Sequence, residues 1–162
     1  MILKSGYLIA IICKAAFVFG QDAESAFDRT AFYKAMAMDQ IELVNDQLNA
    51  LKNSSVKEKE AFEGALTMKK AGLSGAAARK LSLFKSGHKK LEAAIIKDTS
   101  NIEFRFLRLM IQEHAPGMLG YKKELNRDSE YIRRYYKTLP RSVQQAIRDY
   151  NKKSKVLKLQ DS

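Results

Sequence analysis

Apolar side chains recur along the chain at steps of three and four residues, the spacing that places them on one face of an α-helix. Six such stripes follow one another between residues 27 and 139, and a shorter one covers residues 143–150. The second stripe, for example, consists of Ile41, Val44, Leu48 and Leu51. No segment shows a sustained alternation of apolar and polar residues, so the pattern predicts no β-sheet. We therefore predict an all-α fold with about six to seven helices.

Capping and turn residues separate the stripes. Ser55–Glu58 and Ser100–Glu103 match the capping box, in which a serine oxygen accepts from a free amide of the first turn and a glutamate reaches back to the cap. Gly72 and Pro116 mark helix ends, and Pro140 suits the start of the last helix. The loops left between helices are short, which makes neighbouring helices antiparallel. We therefore predict stacked antiparallel hairpins or an irregular helical bundle.

The segment between residues 101 and 115 is apolar around most of a helical circumference. Its polar side chains Arg105, Arg108 and Gln112 are spaced three and four apart, so they form one narrow strip. Aromatic and aliphatic side chains cover the remaining surface. A helix of this kind has neighbours on at least two sides, and we predict that it forms the centre of the domain.

The first twenty residues have the layout of a secretory signal peptide. Lys4 precedes an apolar run from Tyr7 to Phe19, which is too short to span a bilayer. The small residues Val18 and Gly20 suit a signal peptidase that cuts before Gln21. We therefore expect residues 1–20 to be a cleaved leader and the protein to be exported, either to the periplasm or to the outside.

Two alternatives stay open for the leader. Because Lys14 interrupts the apolar run, residues 1–20 also suit a buried N-terminal helix or an uncleaved weak anchor. After the leader, we predict a single helical domain over residues 21–150 and a basic, frayed tail over residues 151–162. The tail offers a peripheral contact with anionic surfaces through Lys152, Lys153, Lys155 and Lys158.

Composition excludes several classes of site. The chain has one cysteine and two histidines, so neither an internal disulfide framework nor a cysteine-based zinc site can form. It contains no phosphate-binding loop, dinucleotide-binding fingerprint or serine-nucleophile elbow. We therefore predict a non-enzymatic protein without a metal or a cofactor.

The charge balance favours anionic partners. Lys and Arg number 29 against 18 Asp and Glu, so the formal net charge is +11. Between Tyr131 and Lys137, tyrosines mix with cations, as on surfaces that stack bases and attract phosphates. However, Tyr135 continues the apolar stripe of its helix. We therefore interpret Tyr135 as a core residue with the arginines facing solvent, and nucleic acid as the less favoured partner.

Arg105, Arg108 and His88 are the candidate ligand-binding residues. Two guanidinium groups on a nearly all-apolar helix each need a carboxylate or open water. One interpretation pairs them internally with Glu103, Glu113 or an acid from residues 21–46; the other has them line a groove and clamp an anionic group. His88 lies on the apolar stripe of its helix, which favours a core or half-buried histidine over an acid–base group.

One hairpin resembles a known repeat. Residues Leu91–Asp98, followed by Asn101, are similar to the close of a tetratricopeptide-type hairpin, which commonly ends in apolar-x-x-Ala-Ile-x-x-Asp-Pro-x-Asn. Thr99 stands in place of the proline, the likeness covers residues 88–114, and no second copy follows at the 34-residue period. The resemblance implies a stack of hairpins with a concave binding surface.

A broader resemblance covers most of the chain after the leader. It is carried by five segments: Thr30–Met36, Lys80–Lys85, Gly87–Ile95, Glu103–Leu109 and Val143–Ile147. Together these segments resemble an uncharacterised family of small exported bacterial all-helical proteins. This likeness implies export and a helical fold, and it assigns no site residues.

These observations favour an exported, non-enzymatic helical module that binds a protein or peptide in the cell envelope. One alternative is a cytoplasmic basic protein that binds nucleic acid, which requires an uncleaved leader. Another is an enzyme of unrecognised type that works from Arg105, Arg108 and His88. A pocket lined by all three residues would favour the enzyme.

Overall fold

The structure, a computed structural model, describes residues 27–160 and is all-helical there, without β-strands. This confirms the predicted all-α fold with about six to seven helices. The seven α-helices are α1 (Arg29–Ala37), α2 (Ile41–Lys52), α3 (Lys59–Leu73), α4 (Ala77–Lys97), α5 (Ile102–His114), α6 (Leu125–Tyr135) and α7 (Arg141–Asn151). Two short 3₁₀ helices cover Gly117–Leu119 and Tyr136–Thr138. The predicted leader, residues 1–20, lies outside the described residues.

Helix α5 occupies the centre of the described fold, as the sequence predicts. Every residue from Glu103 to Gln112 is buried. The ring of Phe106 lies 5.6 Å from that of Tyr33 on α1 and 5.7 Å from that of Tyr150 on α7. Helices α3, α4 and α6 also pack against α5. Burial on all sides explains why this segment is apolar around most of its circumference.

Helices α3 and α4 form an antiparallel hairpin with a very close crossing. Glu63 on α3 pairs with Lys90 on α4, and the ion pair Glu60–Lys97 continues in the antiparallel sense. At the crossing, a Cβ atom added to Gly87 would lie 2.5 Å from the carbonyl oxygen of Gly64. Only glycine allows the two backbones to approach this closely.

The two predicted capping boxes are wrong in detail. Helix α3 begins at Lys59 without a side-chain cap, so Ser55 does not cap it. Helix α5 begins one residue later than the box requires, and Asn101 caps it by accepting from the Phe104 amide at 3.1 Å. Glu103 turns inward, where it accepts hydrogen bonds from Arg29 and Tyr33. Stronger long-range partners thus replace the local cap.

The C-terminal segment differs from the predicted frayed tail. Leu157 is fully buried, and Glu113 on α5 accepts hydrogen bonds from the Ser154 hydroxyl at 2.7 Å and the Lys155 amide at 2.6 Å. Asn151 accepts from the amide of Leu159 at 2.8 Å. The tail therefore packs as far as Leu159, because one buried leucine and several backbone amides find partners on the body.

Within the described part of the chain, no helix combines the length and the apolar composition needed to cross a membrane.

Candidate functional site

The two candidate arginines meet in a buried ion cluster between α5 and α6. Arg108 donates from Nε to Oδ2 of Asp128 at 2.7 Å and from Nη2 to Oδ1 at 2.8 Å. Arg105 donates from Nη1 to Oδ1 of Asp128 at 3.0 Å. Its Nε and Nη2 atoms donate to the carbonyl of Thr99. Glu92 on α4 accepts from Arg108 Nη1 at 3.0 Å, so the ion cluster balances two cations with two carboxylates.

This ion cluster is closed to an external anion. Asp128 is fully buried, and the two arginines are less than a tenth exposed. Burial by itself lowers the pKa of Arg108, but the hydrogen bonds and charge of Asp128 and the charge of Glu92 raise it above its usual value. The sequence left two interpretations open for these arginines: internal ion pairs, or a groove that clamps an anionic group. The structure shows the internal ion pairs.

The partners expected for the arginines were wrong. Glu103 pairs with Arg29 instead, and Glu113 binds Tyr150 and the C-terminal segment. Asp128, the actual partner, occupies a position on the α6 stripe that is otherwise apolar. An acid at a core position of one helix and arginines on another are the sequence signal that identifies such a pair.

His88 is connected to the ion cluster only through Tyr121. The centroids of the His88 and Tyr121 rings are 4.6 Å apart, and the Tyr121 hydroxyl donates to Glu92 at 2.5 Å. Burial, and then the nearby Glu92 carboxylate, raise the pKa of Tyr121 well above its usual value, so the phenol stays protonated. His88 is half-buried, as expected. The three sequence candidates share one internal network, and neither surface groove described below is lined by them.

A different region of the structure forms an open groove with a volume of about 900 Å³. One wall is α6 with the 3₁₀ helix that follows it, and the other wall is the end of the C-terminal segment. The residues that line it are Arg127, Glu130, Tyr131, Arg133, Arg134, Tyr136, Lys137, Lys158, Leu159 and Gln160. We call it the α6–tail groove.

Arg133 holds the two walls of the α6–tail groove together. Its Nη1 atom donates to the carbonyl oxygens of Leu157 at 3.0 Å and Val156 at 3.4 Å. Between the buried Leu157 and the half-buried Leu159, Lys158 has a φ of 41°, in the left-handed region. That conformation is costly for a lysine. The neighbouring contacts impose it, and they place Lys158 in the wall of the groove.

The α6–tail groove is strongly basic. Its lining includes five cations and a single acid, Glu130. Arg134 stacks on the Tyr135 ring with its guanidinium 5.9 Å from the ring centroid. Lys158 is exposed and has no ion-pair partner among residues 27–160. Positive side chains in a concave surface concentrate the field and attract anionic groups.

The tyrosines of this region differ from the sequence interpretation. Tyr135 is 37% exposed rather than in the core, because α6 ends at this residue and the tighter 3₁₀ turn that follows changes the face presented to the core. Tyr131 lines the groove, but the Arg105 guanidinium lies 4.4 Å from its ring centroid and the Tyr135 ring lies 4.7 Å away. Contacts within the protein already cover much of the Tyr131 ring.

A second, smaller groove of about 530 Å³ lies between α2, α3 and α4. Its residues are Asn45, Leu48, Asn49, Lys52, Glu63, Thr67, Lys70 and Lys90. Several of these bind one another, including the ion pair between Lys90 and Glu63. No group of three or more His, Cys, Asp or Glu side chains within residues 27–160 is arranged to hold a metal ion.

The sequence analysis noted the mixture of tyrosines and cations between Tyr131 and Lys137, which forms part of one wall of the α6–tail groove, but it interpreted the arginines there as solvated and named no groove. Arg127, Tyr131 and Arg134 lie four and three residues apart, which places them on one face of a helix. The sequence gives no indication of the other wall, which the C-terminal segment forms, because Lys158 and its neighbours have the composition of an ordinary solvated run of charges.

Comparison of the chain with protein-family models, with curated proteins and with solved structures finds no match.

Proposed function

We propose that the protein is an exported, non-enzymatic helical module that binds an acidic segment of another protein in the cell envelope. The observation that supports this proposal is the α6–tail groove, where five cations surround a single acid. Its arginines match carboxylates, because a guanidinium can donate two parallel hydrogen bonds to one carboxylate. The tyrosine rings and Leu159 add apolar surface for the side chains between the acids.

A nucleic acid is the second candidate for the same groove, since phosphates are also anionic. Single strands bind through bases that stack on aromatic faces. In the α6–tail groove, Arg105 and Tyr135 already pack against the Tyr131 ring. A ligand that needs charge complementarity more than stacking therefore fits better, and this favours the acidic peptide.

The internal pairing of Arg105 and Arg108 supports a binding role over an enzymatic one. These side chains donate their hydrogen bonds to Asp128, Glu92 and Thr99. They stabilise the wall behind the groove, because Asp128 and Tyr131 belong to the same helix, α6. The proposed module therefore combines a buried ion cluster with a basic groove.

The tetratricopeptide-like character of the hairpin α4–α5 is part of the same proposal. Helix α4 ends at Lys97, and Asn101 caps α5 after a short turn, in line with the resemblance of Leu91–Asp98. Mass spectrometry of protein purified from the cell envelope tests the export proposal. An N-terminus at Gln21 is expected, and an intact Met1 in cytosolic protein contradicts export and favours the nucleic-acid alternative.

A binding titration tests the groove. The probe is a fluorescein-labelled peptide that alternates glutamate with tyrosine, compared with an oligothymidylate of equal charge. Reversing two groove cations, Arg134→Glu with Lys158→Glu, is expected to weaken peptide binding at least tenfold, because attraction becomes repulsion. The matched control is Lys34→Glu with Lys57→Glu, which changes the net charge equally at exposed sites on α1 and before α3.

The two pairs of substitutions separate a site from a general charge effect. The control pair is expected to leave peptide affinity within about twofold, since exposed distant charges are screened. Equal weakening by both pairs would contradict the groove proposal. Tighter binding of the oligothymidylate than of the peptide, lost in the groove variant, would favour the nucleic-acid candidate instead.

A further inference from the structure

The far end of the α3–α4 hairpin protrudes from the body of the protein. We call residues 72–85 the hairpin tip; it contains the end of α3, the turn and the start of α4. Every residue from Gly75 to Ser82 is exposed. Six successive residues of a helix point in all directions around its axis, so the first turns of α4 have solvent on most sides.

The part of the hairpin nearest to this tip carries only positive charge. The 28 residues from Gly64 to Leu91 contain seven lysines and arginines and no aspartate or glutamate. Lys69 pairs with Asp39, and Lys90 pairs with Glu63. The other five cations have no ion-pair partner among residues 27–160; they are Lys70, Arg79, Lys80, Lys85 and Lys89.

Apolar side chains accompany these cations at the tip. Leu81 is 44% exposed, although it continues the helical stripe that is fully buried at Leu91. Leu73 and Leu83 are only partly buried. Cations beside exposed or partly exposed leucines suit the interface of a bilayer, where lysines and arginines meet anionic headgroups and leucines enter the acyl boundary.

We infer that the hairpin tip docks on the surface of an anionic phospholipid bilayer. Charge complementarity selects this occupant, since phosphate-bearing headgroups supply the negative charge that residues 64–91 lack. A second copy of the chain is a poor occupant, because it would bring the same cations together. The inference uses a surface other than the α6–tail groove, and it holds whether or not the groove binds a peptide.

A single tryptophan tests the docking directly, because the chain contains none. The full-length variant Leu81→Trp is mixed with vesicles of phosphatidylcholine alone, or of equimolar phosphatidylcholine and phosphatidylglycerol. The control is Ala50→Trp, an exposed site on α2. The end of α2 lies beside Lys59, whose Nζ donates to the Lys52 carbonyl. A 15-residue α3 separates that point from the tip by about 21 Å.

The expected result is a blue shift of tryptophan emission for Leu81→Trp with the anionic vesicles and none with phosphatidylcholine alone. The control is expected to show no shift with either. An absent shift at position 81, or equal shifts at positions 81 and 50, would overturn the inference.

A second comparison identifies the cations responsible. On the Leu81→Trp background, Arg79→Gln, Lys80→Gln and Lys85→Gln are combined; all three positions are exposed, so folding is preserved. Each cation near an anionic membrane contributes about a fivefold gain in partitioning, so this triple variant is expected to lose about 100-fold. A matched variant in the groove, with Arg127, Arg134 and Lys158 changed to glutamine, is expected to keep vesicle binding.

Two outcomes would contradict this assignment. Equal loss in both triple variants would indicate attraction by net charge alone. Tip-dependent binding of soluble heparin without any shift on vesicles would indicate an acidic soluble macromolecule rather than a bilayer. Either result overturns docking of the tip on lipid.

Discussion

Arg108 and Asp128 form a bidentate ion pair that links α6 to the central helix α5, with N–O distances of 2.7 and 2.8 Å. Asp128 also accepts from Arg105, so one fully buried carboxylate neutralises much of the charge of two buried guanidinium groups. Buried arginines are tolerated only while their carboxylate is present. The stability of the α5–α6 contact therefore depends on a single acid.

Removing that acid is expected to be strongly destabilising. Asp128→Ala leaves Arg105 and Arg108 buried with too few partners, and the free energy of unfolding should fall by about 3–5 kcal/mol. Urea unfolding followed by circular dichroism measures this loss. Asp149→Ala is the control, because Asp149 pairs with Lys152 at an exposed site, and its loss should change the stability far less than the loss of Asp128. Similar losses in both variants would contradict the role given to the ion cluster.

The crossing of α3 and α4 predicts opposite signs for two glycine substitutions. Gly87→Ala places a Cβ 2.5 Å from the Gly64 carbonyl oxygen, and forcing the helices apart should cost about 1–3 kcal/mol. Gly72→Ala meets nothing within 4 Å and lies in α3, so it should stabilise by up to about 1 kcal/mol. Thermal unfolding measures both, and a stable Gly87→Ala protein would show that the helices are not in backbone contact.

The packed C-terminal segment predicts that a residue near the end of the chain matters for stability. Leu157 is fully buried, and Leu157→Ala should lower the free energy of unfolding by about 2–5 kcal/mol. Lys155→Ala, which removes an exposed side chain two residues earlier, should change it by less than about 0.5 kcal/mol. Chemical denaturation of both proteins makes the comparison. A neutral Leu157→Ala would instead agree with the frayed tail that the sequence suggested.

The packing of the C-terminal segment against Glu113 should depend on pH. Burial raises the pKa of Glu113, but hydrogen bonds from the Lys155 amide, Ser154 and Tyr150 outweigh it and lower the pKa below its usual 4.5. Because the folded pKa is lowered, the stabilisation is present above the unfolded pKa and is lost as the pH falls through the folded value.

Hydrogen exchange of the Lys155 amide, measured by NMR, tests this dependence. Its protection factor is expected to be constant above the usual pKa of 4.5 and to fall at lower pH in the natural sequence, as Glu113 becomes protonated. In Glu113→Gln the protection should be lower at the higher pH and nearly constant, since an amide does not titrate. A protection factor that falls equally in both proteins would place the titrating group elsewhere.

Local periodicity was sufficient to predict the helices and the central position of α5. The strip of Arg105 and Arg108 on an otherwise apolar segment also indicated two buried cations that needed partners. What it did not indicate was which carboxylate pairs with them. Asp128 was part of a stripe like any other position, and Glu103 was interpreted as a cap because serine and glutamate were correctly spaced.

The sequence by itself determined the helical content, the buried centre and the excess of positive charge, because spacing and composition are properties of short segments. Only the tertiary structure decided that Arg108 faces Asp128, that Leu157 packs against the body, and that Lys158 therefore joins Arg134 in one groove. These are contacts between segments that lie 20 or more residues apart along the chain. Each contact is set by the way several helices pack together, and the pattern of residues within one segment does not predict that packing.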